Sequence, residues 1–181
     1  MEKIVFKKLQ AALKRIPEEL QDKEVNVGWQ SNIKEENGIP VSYVATIHEF
    51  GAPEQNIPPR PMLGPTLKNN QEAYLKFLRL ASKQVQRGEI NGQDVLDTLG
   101  EMVSSDVKKT IAQIQDPPLS PITLMLRKMR KQNPELKVSG KIVGEAAIKV
   151  KAKEDYSGVS TKPLIDSSTM INAISHEVVK K

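Results

Sequence analysis

Residues 41–63 read Val41-Ser42-Tyr43-Val44-Ala45-Thr46-Ile47-His48-Glu49-Phe50-Gly51-Ala52-Pro53-Glu54-Gln55-Asn56-Ile57-Pro58-Pro59-Arg60-Pro61-Met62-Leu63, and the conformation of their first half decides the fold. Val41, Tyr43, Ala45 and Ile47 occupy every second position, the period of a strand with one buried face. That spacing predicts a strand over 41–48, closed by Gly51. Prolines 53, 58, 59, 61 and 65 follow. Each lacks an N–H and fixes φ, which predicts an extended loop through Pro65 rather than a regular element. A stiff loop on a rigid strand loses little entropy when it docks, so the stretch around Arg60 reads as a presentation device for a partner.

Working outward, residues 24–30 show the same alternation, with Val25, Val27 and Trp29 on one face. Asn37-Gly38 marks a turn between the two runs, and together they predict a β-hairpin with a long loop. Residues 3–22 carry Val5, Phe6, Leu9, Ala12, Leu13 and Ile16 at helical spacing, interrupted by Pro17, with a short turn through Leu20. Beyond the proline loop, Thr66 is the expected N-cap of a helix over 66–87. Its apolar stripe is Leu67, Tyr74, Leu75, Leu78, Ala81 and Val85, and Gly88 supplies the stop. The cleanest periodicity in the chain spans 93–115: Val95, Leu96, Leu99, Met102, Val103, Val107, Ile111 and Ile114, with Asp94 in the positive first turn. Asp116-Pro117-Pro118 ends it. Ser120-Pro121 pairs a cap with a first-turn proline and opens a basic helix to about Gln132.

Residues 133–162 are diluted by lysines and by Gly140, Gly144 and Gly158. They fit either a mobile insertion or a short helix or strand at 142–151. One helical turn at 169–173 and a strand at 174–179, with Ile174, His176 and Val178 on one face, complete the chain. No internal repeat is evident. The fold expected is a single α+β domain over 1–181: a small antiparallel β-sheet of 24–30, 41–48 and 174–179, packed by two long amphipathic helices.

A chain of 181 residues can bury a core without metals or cross-links. The absence of cysteine excludes a disulfide framework, a thiolate nucleophile and a Cys-based zinc site. Residues Met1–Lys8 hold no apolar run of signal-peptide length, and no stretch approaches the ~18 apolar residues of a membrane span. The net charge of +5 is uneven, because residues 117–181 hold 12 of the 27 Lys+Arg but only 6 of the 22 Asp+Glu. A basic half suits either a solvated surface or one near nucleic acid or an acidic partner. Aromatics make up 4% of the chain and none lies in the basic helix, which argues against a base-stacking platform.

His48-Glu49 has the look of a zinc-protease helix, but that motif needs a second histidine at position 52, where alanine stands. The other histidine is His176. On or near strand ends, the two could meet across a sheet, where they could hold a metal or act as general acid and base on RNA. A hydrogen-bonded structural histidine is the commoner case. Asp166-Ser167-Ser168 reads as a helix cap or Asx turn rather than a catalytic carboxylate–hydroxyl set. Arg127-Lys128-Met129-Arg130-Lys131 reads as a solvated helix face. As a phosphate clamp it would give non-specific DNA contact through Arg127, Lys128, Arg130 and Lys131. No phosphate loop, nucleophile elbow or acidic metal cluster occurs, so no catalytic, cofactor-binding or metal residues are assigned and no cofactor is expected. Phe50, Ile57, Arg60 and Met62 are the candidate interface residues: apolar plugs beside one forked donor for carboxylates or backbone oxygens.

Four patches appear in order: Val44–Gly51, Ile57–Leu63, Pro118–Leu124 and Lys162-Pro163-Leu164-Ile165-Asp166. In this order the chain resembles the tail-completion, or virion-morphogenesis, proteins of tailed bacteriophages and prophages, the Mu-like group in particular. Members typically show Ile-His-Glu/Gln-Phe-Gly, then Ile-Pro-Ala-Arg-Pro-Phe-Leu, Pro-Leu-Ser-Pro-x-Thr and Lys-Pro-Leu-Ile-Asp-Thr-Gly. Here Pro59 and Met62 replace the small and aromatic residues around Arg60, Ser167-Ser168 replaces Thr-Gly, and residues 133–161 form a longer stretch. The resemblance implies a non-enzymatic structural protein of the virion, assembled in the bacterial host cytoplasm. It would act in tail completion or head–tail joining as a homo-oligomeric ring in contact with other tail or neck proteins, and not with a membrane. A ring around a DNA passage would suit the basic half. The alternatives from the residues themselves are a nucleic-acid-binding protein using that half and a nuclease dependent on His48 and His176.

Overall fold

The structure, a computed structural model, describes residues 22–30, 32–35, 38–165 and 168–181. The helix expected over 3–22 lies outside these residues apart from Asp22, as do Asn37 of the expected turn and Asp166-Ser167. The architecture is mixed α+β. A two-stranded antiparallel sheet pairs β1 (Lys23–Trp29) with β2 (Ile174–Lys180) in a register that places Lys23 opposite Lys180, Val27 opposite His176 and Trp29 opposite Ile174. Six α-helices accompany it among the described residues: α1 (Val41–Phe50), α2 (Leu63–Gln86), α3 (Gly92–Gln113), α4 (Pro121–Gln132), α5 (Gly140–Lys151) and the single turn α6 (Thr169–Asn172).

The strand expected over 41–48 is instead the helix α1, so the expected hairpin with β1 does not form and the sheet has two strands, not three. Burial explains the difference. Val41, Ala45 and Glu49 are the buried positions of α1, at four-residue spacing on one helical face. Tyr43, which the alternating pattern assigned to a buried face, is exposed. The polar residue at the third buried position hid the helical stripe.

The two long helices match expectation in face, but α2 starts at Leu63, so Pro65 and Thr66 lie inside the helix rather than in the expected loop and at the expected cap. Thr66, Tyr74, Leu78 and Ala81 of α2 are buried, and so are Val95, Leu96, Leu99, Val103, Val107 and Ile111 of α3. Packed antiparallel partners at this spacing form one continuous apolar cluster, which Val25, Val27, Trp29 and Val178 of the sheet join from one side. Polar ties fix the helix pair at defined points. The Tyr74 hydroxyl donates to Asp106 Oδ2 at 2.9 Å, and the Thr66 and Thr110 hydroxyls lie 2.6 Å apart. Burial and the Asp106 carboxylate hold the Tyr74 phenol well above its ordinary range. β2 crosses α3 at Gly100, where a Cβ would overlap the His176 side chain. Gly100 is therefore a packing glycine, required by close approach and not by its backbone angles.

Residues 133–162 contain the helix α5, over the stretch where the sequence allowed a short helix or strand at 142–151. α4 and α5 form a hairpin around a second cluster, in which Met125, Met129 and Ala146 are buried and Ile122, Leu126, Leu136, Ile142, Val150 and Tyr156 pack against them. The start of α4 is as expected: Ser120 Oγ accepts from the Thr123 N–H at 3.1 Å, and Pro121 stands in the first turn. No helix among the described residues is long and apolar enough to cross a membrane.

Candidate functional site

The end of α1 is the meeting point of the chain. Gly51 closes the helix with φ 77°, a left-handed conformation that side chains rarely adopt. A Cβ there would also approach Pro59 N to 2.9 Å and the Ile57 oxygen to 3.0 Å. Glycine is thus required twice over. The following loop has two parts. Ala52 and Ile57 exchange backbone hydrogen bonds of 2.8 and 3.1 Å around the short Pro53–Gln55 turn. Residues 58–62 then run back past the helix end, where the Arg60 N–H donates to the His48 oxygen at 2.6 Å.

Glu49 has a specific task. α2 has no cap from its own N-cap residue, Met62. The Glu49 carboxylate supplies one: Oε2 accepts from the N–H of Met62 at 2.6 Å and of Leu63 at 3.0 Å, and Oε1 from that of Gly64 at 3.2 Å. These are donors that a helix start leaves without partners, and the positive end of the helix dipole favours a carboxylate there. The site is nearly closed to water, with Glu49 only 8% exposed. Thr66, the expected N-cap, sits one turn further in and donates from Oγ1 to the Met62 oxygen.

Two arginines extend the junction. Arg60, 5% exposed, donates from Nε and Nη2 to the Pro117 oxygen at 2.9 and 2.7 Å, and from Nη2 to the Pro118 oxygen at 3.2 Å. It thereby clamps the linker between α3 and α4, which contains a cis Asp116–Pro117 bond. Arg127 of α4 does the same for a later segment. Its Nη1 donates to the Ser160 and Lys162 oxygens at 2.7 and 2.9 Å, and its Nη2 to the Pro163 oxygen at 3.4 Å. A planar fork of donors suits adjacent carbonyls, which a lysine could not bridge in this way. His48 lies within the field of both arginines. Burial first, then Arg60 and Arg127, lower its pKa from 6.5 to about 4.

Of the four patches singled out in the sequence, the first is bonded to the second through Glu49 and the second to the third through Arg60 and Pro118, while the fourth is held by Arg127 of α4 and packs Leu164 into the apolar cluster of Val41, Ala45 and Met62. Of the candidate interface residues, Phe50 is 61% exposed and Ile57 is half-buried. Arg60 and Met62 are buried within the chain, Met62 completely. The fork of Arg60 does find backbone oxygens, as its chemistry suggested, but they belong to this chain. Tyr43, 56% exposed on α1, is an aromatic the sequence reading had placed inside.

The basic run is also engaged within the molecule. Lys128 Nζ bonds to the Asp155 backbone oxygen and carboxylate, and Lys131 Nζ to the Gly158 oxygen. Ser157, through its hydroxyl and backbone N–H, and then Lys128 hold the Asp155 carboxyl down at about 2. Arg130 likewise has a partner in the chain. The two histidines have different neighbours: His48 lies by Arg60 and Arg127, whereas His176 packs on Gly100 with Nε2 3.7 Å from Asp97 Oδ1. Among the described residues no group of three or more His, Cys, Asp or Glu is placed to hold a metal ion. The role of Glu49 went unread in the sequence because its three donors lie 13 to 15 residues downstream. The available signal was its place in a four-residue series with Val41 and Ala45. No protein-family model, no curated protein and no solved structure matches this chain.

Proposed function

We propose that the protein is a structural, non-enzymatic component of a phage virion that acts in tail completion or head–tail joining. It would do so as a ring of identical copies bound to other tail or neck proteins. The observation that carries this reading is that the first three resembling patches are bonded together at the end of α1, while Leu164 of the fourth packs into the same apolar cluster as Val41, Ala45 and Met62. Residues that recur for chemistry would be expected to present reactive groups to a cleft. Here Glu49, Arg60 and Arg127 bind backbone N–H and C=O groups of their own chain, which is the work of a scaffold. The scaffold holds α1 so that Tyr43 and Phe50 face outward, and this aromatic face replaces Arg60 and Met62 as the contact surface of the proposal.

The test is complementation of a phage or prophage that lacks the gene. Wild-type protein should restore infectious particles, and a Tyr43→Ser/Phe50→Ser double variant should leave heads and tails unjoined or tails unfinished in electron micrographs. Normal particle yield without the gene would overturn the function. Normal yield from a folded double variant would overturn the surface. For the DNA-binding reading, the internal bonds of Arg127, Lys128 and Lys131 leave fewer cations to meet phosphate. A steep salt dependence of DNA affinity would favour it over the structural role.

A further inference from the structure

Ile148 and Phe50 are the two most exposed large apolar side chains among the described residues, at 69% and 61%. They belong to different helices. On α1, Tyr43 and Phe50 are seven residues apart, two turns along one side, with the exposed Thr46 between them. The other side of α1, with Val41 and Ala45, is in the core. On α5, Ala146 is buried, and Ile142 and Val150 pack beside it in the hairpin cluster. Val143 and Ile148 stand away from that cluster, and a Cβ built on Gly144 beside them meets nothing within 4 Å. α5 is thus apolar on two sides, the pattern of a helix that is covered on both.

We propose that these two exposed faces bind each other between copies of the chain: the Tyr43–Phe50 face of α1 in one copy docks on the Val143–Ile148 face of α5 in the next. The inference rests on the ring of identical copies proposed above and names the contact that builds it. Charge selects the pairing. Residues 35–59 contain four glutamates and no lysine or arginine, whereas residues 137–153 contain five lysines and one glutamate. Glu49 is taken up by the start of α2, but Glu54, close in sequence to Phe50, is exposed. On α5, Lys149 pairs with Glu154, while Lys141 and Lys151 are exposed. Two α5 faces would bring lysines together and two α1 faces would bring glutamates together. Like faces therefore repel and unlike faces attract.

Unlike faces on two different elements make a head-to-tail contact. Each docked pair leaves one α1 face and one α5 face open, so the contact repeats until the row of copies closes on itself. Four large side chains make a small contact beside the ~1,000 Å² of a stable interface. Closure supplies the remaining strength, because every copy in a ring is held at both faces.

The chain has no cysteine, so introduced cysteines report the contact in the purified full-length protein. Thr46→Cys and Gly144→Cys chains, distinguished by an added mass tag, are mixed in equal amounts and oxidised. The mixed disulfide dimer should exceed the two like dimers together, and adding Val143→Ser and Ile148→Ser to the Gly144→Cys chain should remove the excess. All four positions are exposed, so these changes leave the core untouched. Like dimers as abundant as the mixed one, or an excess that survives the two serines, would overturn the contact. Trapping needs no phage, which separates the contact from the function. A mixed-dimer excess beside normal particle yield without the gene supports the contact and removes the tail role. No excess beside failed complementation by the Tyr43→Ser/Phe50→Ser variant overturns the contact, keeps the tail role and gives the α1 face to another tail or neck protein.

Discussion

The helix pair α2–α3 and the hairpin α4–α5 are both built from amphipathic helices, yet they are held by different forces. The first pair shares a large aliphatic cluster to which β1, β2 and α1 all contribute. The second buries two methionines and one alanine, and its cationic helix ties down the chain that follows by bonds from Arg127, Lys128 and Lys131 to backbone oxygens. Apolar burial is insensitive to small shifts, whereas hydrogen bonds depend on distance and angle. The α2–α3 region should therefore behave as the stable body, and the hairpin as an attachment whose position depends on a few polar contacts. Methionine strengthens the contrast, because its unbranched side chain fills space without fixing one arrangement.

The largest effect should come from the body. Leu96→Ala removes a fully buried side chain and should cost about 2–5 kcal/mol of global stability, read as a lower urea midpoint at unchanged slope. A loss within ~0.5 kcal/mol, the range of ordinary surface substitutions, would erase the distinction between the regions. Glu49→Ala should rank next, at about 1–3 kcal/mol, because it leaves the N–H groups of Met62, Leu63 and Gly64 without their acceptor. Hydrogen exchange should show the first turn of α2 opening ahead of its middle, and uniform loosening along α2 would contradict the capping role. Met129→Ala should cost about 2 kcal/mol, but only within the hairpin, where the small cluster can partly collapse. Faster exchange confined to 121–151 is the expected sign, and a matching change across 92–113 would show that the two regions are one cooperative unit. Lys128→Ala should be the mildest. Its partner Asp155 is solvent-exposed, so the melting temperature should not move, while backbone amides near Asp155 exchange faster.

The sequence made the body legible because its signal is local. The periodicity of Val95 to Ile111 and the stripe through Tyr74, Leu78 and Ala81 hold whatever the rest of the chain does, and Ser120-Pro121 declares the start of α4 by itself. The alternation of Val25, Val27 and Trp29, and of Ile174, His176 and Val178, marked the two strands that pair. Residues 41–50 failed because a helical stripe of Val41, Ala45 and Glu49 contains a charged residue, while the competing alternation was filled by Tyr43 and Ile47. Only the tertiary position of the α2 start makes a buried glutamate favourable, and the donors that do so lie 13 to 15 residues downstream. The junction was illegible for the same reason. Arg60 reaches its acceptors 57 and 58 residues away, and Arg127 reaches 33 to 36 residues onward. What the sequence did hold was the set of four patches, although the bonds that their residues make in the fold could not be read.

Capping α2 from Glu49 makes the intervening loop a tether as well as a connector. The carboxylate meets its three N–H partners at a local concentration set by a short, proline-stiffened chain folded back at Gly51 and closed between Ala52 and Ile57. Cleavage anywhere in Pro53–Arg60 would leave every contacting atom in place and still turn this cap into an encounter between two ends free to part. The first turn of α2 would then fray without a single side chain having been changed. A protease nick would thus imitate the loss of Glu49, and the covalent continuity of the loop belongs among the determinants of the helix that follows it.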